Sequence, residues 1–330
     1  MRRQLALQPP NGQNTQEGTR DGFFARRQPL SKAPGESEAE GVTTRIKPIE
    51  ILGETREFQG SATVKRTIVS VSADGSVARE DWIAREEPLE IRVKCPQQPK
   101  RNLAVVLRTP GHDDELAIGF LFGENLVHHR TDVVSAGPAR IDRVCNVVEV
   151  ELSRAIDLDA SKRRFASNSS CGLCGKTSID QISTRRDPVG VGPILARSVL
   201  VGLPARLRDA QRVFDRTGGL HAAGLFDRDG ILLRLREDVG RHNAVDKLIG
   251  RAFLDEALPL ENEILLVSGR AGFEIVQKAA AAGMTIVCSV SAPSSLAVGL
   301  ADRVGMTLVG FLRGPKFNIY THPERIRLDL

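Results

Sequence analysis

Apolar side chains at 62, 64, 69 and 71 stand two positions apart, as in a strand, and residues 88–93 and 102–108 are read as further strands. That period turns one face of an extended chain toward a core, so strands are predicted there. A Thr109-Pro-Gly-His112 turn then leads to Asp113-Asp-Glu115 and an apolar run ending at Gly123. Acidic residues suit the positive end of a helix, which predicts a helix over 113–123. Residues 144–152 read as one more strand. Further along, strands and helices alternate. Residues 204–215 predict a helix closed by Thr217-Gly-Gly219, and 222–226 with 231–235 predict a hairpin around Asp227-Arg-Asp-Gly230. Helices over 244–253, 273–282 and 295–304 then separate continuous apolar strands over 263–268, 284–290 and 306–312. Uninterrupted apolar strands between helices argue for a sheet covered by helices.

Residues 1–61 lack this periodicity and are rich in Gly, Pro, Gln, Glu and Arg, which predicts a disordered extension. Three regions follow: the extension, a small α+β domain over 62–165, and an α/β domain over 166–330. No internal repeat is visible. The 330 residues suffice for two domains of ordinary size, and 41% hydrophobic with 26% charged residues is the composition of a globular protein. No apolar run approaches the roughly 20 residues of a bilayer span, so no membrane association is expected. The basic N-terminus has no apolar stretch behind it and is not expected to be a secretory signal.

Charge and cysteine count sharpen this. The net charge of +5 favours acidic or phosphate ligands. Aromatic residues are only 4% of the chain, too few to supply a base-stacking platform, so nucleic acid is not the expected partner. Five cysteines, odd and sparse, suit a reducing cytoplasm rather than a disulfide framework. Cys95, Cys145 and Cys288 lie in strand-like runs and are expected to pack as small apolar groups. Cys171 and Cys174 differ. They stand in Ser167-Asn-Ser-Ser-Cys171-Gly-Leu-Cys174-Gly-Lys176, whose small polar residues build no core and predict a mobile loop. A structural zinc site needs a second pair that this chain lacks. A thioredoxin-type pair needs a preceding strand, which the Ser/Asn flank does not provide. Sulfur or redox chemistry and a partial metal site stay equally open on spacing.

Several strand-to-helix turns carry polar groups. Asp238-Val-Gly-Arg241-His242-Asn-Ala-Val-Asp246-Lys247 opens a helix and suits either an anion or a capped helix with solvated charges. Ser268-Gly-Arg270-Ala-Gly272 leaves a buried strand, where glycines admit a phosphate and Arg270 is placed to pair with it. Ser291-Ala-Pro-Ser-Ser295 is explained equally well by helix capping. Gly310-Phe-Leu-Arg-Gly-Pro-Lys316-Phe-Asn-Ile-Tyr320 brackets a turn with Arg313 and Lys316. Together these strand ends predict one sheet edge suited to a phosphate-rich ligand. His112, His128, His129 and His322 read as surface or structural residues, and His221 precedes a strand with its role open.

Glu87-Pro-Leu-Glu-Ile-Arg-Val93, the run from Arg108 to Gly123, Cys171-Gly-Leu-Cys174-Gly175, Gly218-Gly-Leu-His-Ala-Ala223, the run from Glu237 to Lys247, Ser268-Gly-Arg270 and Gly310-Phe-Leu-Arg-Gly314 occur in this order. In that order they resemble the FdhD family of formate dehydrogenase accessory sulfurtransferases, across roughly residues 62–330. The resemblance implies a sulfur carrier required for formate dehydrogenase activity. Such a carrier takes a persulfide from a cysteine desulfurase. It passes the sulfur to the bis(molybdopterin guanine dinucleotide) molybdenum cofactor, held as a substrate, before that enters the formate dehydrogenase apoenzyme. It implies Cys171 as the persulfide cysteine with Cys174 as its helper, Lys176 lying close enough in sequence to lower the thiol pKa. It places the cofactor contact on Phe311, Leu312, Arg313, Gly314, Pro315 and Lys316, and the polar strand and helix ends read above add Arg241, His242, Lys247 and Arg270 as candidate phosphate partners. It also implies a homodimer and a cytidine-deaminase-like α/β/α main domain. Zinc deaminases need His or Cys, a Glu two residues on, and a Pro-Cys-x-x-Cys segment. Here the corresponding helix starts read His242-Asn-Ala244 and Ser268-Gly-Arg270, so deamination is rejected and no resident metal is expected. The rival classes are a metal-binding or chaperone module that delivers the cofactor without moving sulfur, and a thiol-disulfide oxidoreductase. The extension is not covered by the resemblance.

Overall fold

The computed structural model describes residues 61–139, 146–156 and 188–328. The predicted extension, the 144–152 strand's first two residues and the Cys171-Gly-Leu-Cys174 segment with Lys176 lie outside the described residues.

The chain begins with a hairpin of β1 (Thr63–Ser72) and β2 (Gly75–Ala84), paired along their full lengths. Alternation marks β1. It does not mark β2, whose Arg79-Glu80-Asp81 centre makes it a strand by cross-strand pairing rather than by burial. Next come β3 (Glu87–Lys94), β4 (Arg101–Arg108), α1 (Asp113–Gly123), β5 (Val133–Pro138) and β6 (Val147–Leu152). The strands form a sheet in the order β4-β3-β6-β5, with β3 and β6 parallel. Leu116, Ala117, Ile118 and Leu121 of α1 lie on Leu89, Ile91, Val93, Val148 and Val150, all fully or almost fully buried.

A second sheet follows β7 (Leu195–Ala196), α2 (Arg197–Ala210) and α3 (Arg212–Thr217). Its strands are β8 (His221–Phe226), β9 (Leu232–Asp238), β10 (Ile264–Val267), β11 (Ile286–Ser289), β12 (Thr307–Arg313) and β13 (Lys316–Thr321). They stand in the order β13-β12-β11-β10-β8-β9. The central β10, β11 and β12 are parallel, and β8, β9 and β13 each run antiparallel to a neighbour. Helices α4 (Arg241–Leu254), α5 (Phe273–Ala281) and α6 (Ser295–Val304) cover one face, and α2 covers the other. Ile264 and Leu266 pack with α2, whereas Leu265 and Val267 pack with the helices opposite. Both alternating sets are buried, which is why these strands read as unbroken apolar runs. A short β14 (Ile326–Arg327) pairs with β7.

The helix expected over 204–215 is two helices, and the first begins at Arg197 with Pro204 inside it. Proline within a helix costs about 3 kcal/mol. Leu200, Leu203 and Leu207 are all buried on the sheet. Each contributes about 1.5–3 kcal/mol, and together they outweigh the proline. The helix ends at Gln211, whose ψ of 71° leaves the helical region. Gly218, with φ of 66°, closes α3 as the Thr217-Gly-Gly219 reading expects.

Helices α1 and α4 join the two cores by backbone contact. A Cβ on Gly119 would stand 1.9 Å from the Asp246 carbonyl oxygen, and one on Gly250 would stand 1.8 Å from that of Glu115. No side chain fits without parting the helices. Gly250→Ala is expected to lower stability by about 1–3 kcal/mol in urea unfolding, the usual cost of overpacking. An unchanged midpoint would show that the helices separate freely.

Arg236 of β9 grips Glu115 of α1 through Nε–Oε2 at 2.5 Å and Nη2–Oε1 at 2.7 Å. Burial pushes the Glu115 carboxyl up, but Arg236 and His112 more than offset this and bring it down to about 2. A depressed carboxylate stabilises the fold fully above its unfolded value near 4.5 and loses that contribution as pH falls toward 2. The loss is expected to be roughly 3 kcal/mol. Glu115→Gln should flatten stability against pH in this window; an unaltered acid limb would contradict the coupling.

Candidate functional site at the sheet edge

Parallel β10, β11 and β12 end at one edge of the sheet, and antiparallel β8 begins there. The edge therefore gathers His221, Ser268, Val290 and the 310–313 segment. Ser268 locks to β8 both ways: its N–H donates to the Ala222 carbonyl and its Oγ accepts from the Ala222 N–H, each at 2.9 Å. Ser289 Oγ, fully buried, donates to the Gly269 carbonyl at 2.8 Å. Serines at these strand ends satisfy the turn backbone that the sheet leaves unpaired.

A bulge interrupts β12 between Gly310 and Arg313, and Phe311 takes a left-handed φ of 53°. Its N–H reaches the Ser291 carbonyl at 3.1 Å. Gly310 is required by crowding, since a Cβ there would lie 2.8 Å from Pro293 Cδ and 2.9 Å from Tyr320 Cε2. The bulge leaves Phe311 exposed, buries Leu312 and sets Arg313 Nε on the Val290 carbonyl at 2.8 Å. A cavity of about 590 Å³ opens here, lined by Pro204, Phe214, His221, Ser268, Leu312 and Arg313 among others.

The 311–316 segment serves two hollows. Leu312 and Arg313 line this cavity. Pro315 and Lys316 instead line a shallower hollow of about 800 Å³ with Arg197, Phe317 and Ile319. Gly314, at φ of 54°, forms the turn between them.

Arg241 and His242 start α4 beside this edge. Gly269 leaves room for the cluster: a Cβ on it would stand 3.2 Å from His221 Nδ1 and 3.7 Å from Arg241 Cδ. Burial, then the charges of Arg241 and Arg270, lower the His221 pKa. Burial, then Arg241 and Lys278, lower that of His242 to about 3. Both rings are neutral at pH 7, so the 3.7 Å approach of His242 to Glu274 is not an ion pair there. Among the described residues Arg241 Nε is buried without a hydrogen-bond partner, and no carboxylate lies within ion-pair distance of Arg241 or Arg270. Exposed Arg270 and Arg313 with half-buried Arg241 thus leave uncompensated positive charge at the edge. That is an arrangement for an anion.

Lys247 does not belong to it. Its side chain is 1% exposed and its Nζ lies 2.7 Å from Asp238 Oδ2 and 2.8 Å from the Thr109 carbonyl. Asp238 also accepts from the N–H groups of Thr109 and Gly240 and from Asn243 Nδ2. Asp246 is equally buried against Lys278 at 2.8 Å. Burial raises the Asp246 carboxyl to about 6 even beside that ammonium. The segment from Asp238 to Lys247 is therefore neither wholly an anion site nor a helix with solvated charges. Two of its residues face the edge, Asp238 and Lys247 fasten α4 to the Thr109 turn, and Asp246 ties α4 to Lys278 of α5.

Sequence reading left His221 without a role and ran α2 and α3 together as one helix over 204–215. Glu237 fixes α3 by accepting from the N–H groups of Val213 and Phe214 at 3.1 and 2.8 Å, which places Phe214 in the cavity wall. An acid at a strand end is too common a signal to reveal this. Cys288 and Cys95 are buried, as their apolar runs predict, and burial pushes the Cys288 thiol up to about 12. Cys145, Cys171 and Cys174 lie outside the described residues. Among the described residues no group of His, Cys, Asp or Glu is placed to hold a metal ion.

The fold and edge define a mixed α/β protein that presents cationic strand ends around an open cavity. The chain belongs to the FdhD/NarQ family, whose model matches residues 84–327. It is 48% identical over 277 residues to the sulfur carrier protein FdhD of Nocardia farcinica, covering 82% of this chain and 97% of that one. The protein of the same name from Mycobacterium tuberculosis is 48% identical over 280 residues, covering 81% and 99%. That from Thermoplasma volcanium is 43% identical over 274 residues, covering 81% and 96%. A crystal structure of a candidate formate dehydrogenase accessory protein from Desulfotalea psychrophila shares the fold. Its TM-score is 0.63 at 24% identity, covering 81% of this chain and all of that one.

Proposed function

We propose that this protein is a sulfur carrier serving formate dehydrogenase. What supports the reading most is near-half identity to proteins named sulfur carriers, across 97–99% of their lengths. Cys171 attacks the outer sulfur of a cysteine desulfurase persulfide as a thiolate, and the desulfurase cysteine leaves as a thiolate. The product is a Cys171 persulfide. Delivery of that sulfur as sulfide takes two electrons. Cys174 supplies them by attacking Cys171 Sγ, which forms a disulfide and releases the terminal sulfur; a thiol reductant then restores the pair.

The acceptor is the guanine dinucleotide molybdenum cofactor, bound as substrate. The orphaned Arg241 Nε and the uncompensated Arg241 and Arg270 support a phosphate-bearing ligand at this edge. Arg313 contributes a further cation, and neutral His221 and His242 add no charge of their own. Phe311 and the Gly314-Pro315-Lys316 turn carry the ligand toward the shallower hollow. We read the six-stranded domain as cytidine-deaminase-like, which its helix-covered parallel centre and flanking antiparallel hairpin support. The setting is cytoplasmic and the partners are the desulfurase and the formate dehydrogenase apoenzyme. Among the described residues no helix is long and apolar enough to cross a membrane.

The test is intact mass after incubation with a desulfurase and cysteine. A gain of one sulfur atom, lost on reduction, is expected. Stoichiometric zinc with no sulfur gain would replace this reading with metal-dependent delivery. A separate binding measurement with GDP is expected to weaken about tenfold in Arg270→Ala, the effect of one charge-assisted contact. Unchanged affinity would move the nucleotide elsewhere.

A further inference from the structure

We infer that the cavity at the sheet edge is a slot for a flat nitrogen heterocycle, whose edge is read by the side-chain amide of Gln211. The inference rests on the proposed cofactor binding, and adds where a ring of that cofactor sits and which residue recognises it.

Gln211 is 4% exposed and lines the cavity. Its backbone is engaged: the N–H donates to the Arg208 carbonyl at 3.2 Å, and the carbonyl accepts from the Asp215 N–H at 2.9 Å. Its side-chain amide makes no hydrogen bond among the described residues. A buried amide left without a partner is unfavourable, and a cavity is where the missing partner can enter. The amide offers a donor beside an acceptor. Guanine and pterins offer the complement, an N1–H or N3–H beside an oxo oxygen.

Local sequence does not explain why Gln211 stands there. Asp209-Ala-Gln-Arg212 contains neither Gly nor Pro and would carry a helix through. The chain breaks instead at Gln211, with φ of −78° and ψ of 71°. Glu237 secures the break by accepting from the Val213 and Phe214 N–H groups. The break brings Gln211 and Phe214 to the wall of one cavity.

That wall suits a flat ring. The Arg208 guanidinium lies over the Phe214 ring, 4.7 Å from its centre, and buried Leu207 and Leu312 complete the apolar lining. Small-molecule sites combine apolar and aromatic surface with a few polar groups, in volumes of roughly 300–1,000 Å³. The cavity of about 590 Å³ falls within that range. Arg313 lines it too, so a ring in the slot has a cation beside it for its phosphates.

The proposed cofactor carries two such rings, guanine and the pterin, and separate probes distinguish them. The experiment is calorimetric titration of the full chain with GDP, pyrophosphate and 6-hydroxymethylpterin, with circular dichroism to confirm folding. Gln211→Leu removes the amide at similar volume. It should weaken GDP about tenfold and leave pyrophosphate unchanged. A loss confined to 6-hydroxymethylpterin would keep the slot and assign it to the pterin. Gln211→Glu should retain the ring probe, because a carboxylate accepts from both the ring N–H and the 2-amino group. Ring probes indifferent to Gln211→Leu, an equal loss of pyrophosphate, or a Glu variant as weak as the Leu variant would each overturn the slot. Failure of the unaltered protein to bind either ring probe would overturn it as well, whereas the sulfur gain read by intact mass decides the carrier function on its own.

Discussion

A protein with alanine in place of Cys171 is expected to gain no sulfur from a desulfurase while its fold and its affinity for GDP persist. The contrast is all-or-none, because a persulfide needs a thiolate and alanine has no atom to hold the transferred sulfur. The other cysteines among the described residues do not substitute. Cys288 is buried with its thiol pushed up to about 12, and Cys95 is buried in the smaller core. Cys174→Ala is expected to differ in kind: sulfur loads but leaves slowly, since the two-electron release has lost its donor. Mass spectrometry distinguishes the two variants directly. Full formate dehydrogenase activity in a cell carrying only Cys171→Ala would sink the carrier mechanism.

The second large effect is structural. Lys247→Met is expected to cost about 3–5 kcal/mol, because it strands the carboxylate of Asp238, which is fully buried, without a counter-charge. Asp238→Asn together with Lys247→Met should recover much of the loss, since the unpaired charge is then gone. Urea unfolding measures both. Should Lys247→Met alone prove too unstable to purify, the double variant still reads the coupling through its own stability. A loss under about 1 kcal/mol for Lys247→Met would mean that the pair behaves like an exposed one. Lys65 and Glu80, with side chains 51% and 68% exposed, provide that comparison, and breaking them is expected to change little.

Much of the fold is legible along the chain because burial on both faces leaves a strong mark. The runs at 263–268, 284–290 and 306–312 are strands for that reason, and the acidic start of α1 marks its own helix. Legibility fails where a local signal is overruled. Pro204 reads as a helix start, yet three buried leucines carry α2 back to Arg197. Residues 75–84 carry no apolar alternation and become β2 through pairing with β1. For the edge, Arg241, Arg270 and Arg313 are visible as cations at strand ends. Lys247 has the same appearance in sequence, but only packing shows that Asp238 and Thr109 enclose it.

The sequence alone determined most of the elements and their order, the cysteine pair and the family to which the chain belongs, since motifs and periodicity are properties of neighbours along the chain. Tertiary structure alone decided which polar groups share a space. It brought His221, Ser268 and Arg313 around one cavity across some ninety residues of chain, and it divided Arg313 from Lys316 although three positions separate them. The physical reason is the same in each case: a side chain's charge is written in its identity, but its solvation and its partners are set by elements distant in sequence that the fold packs against it.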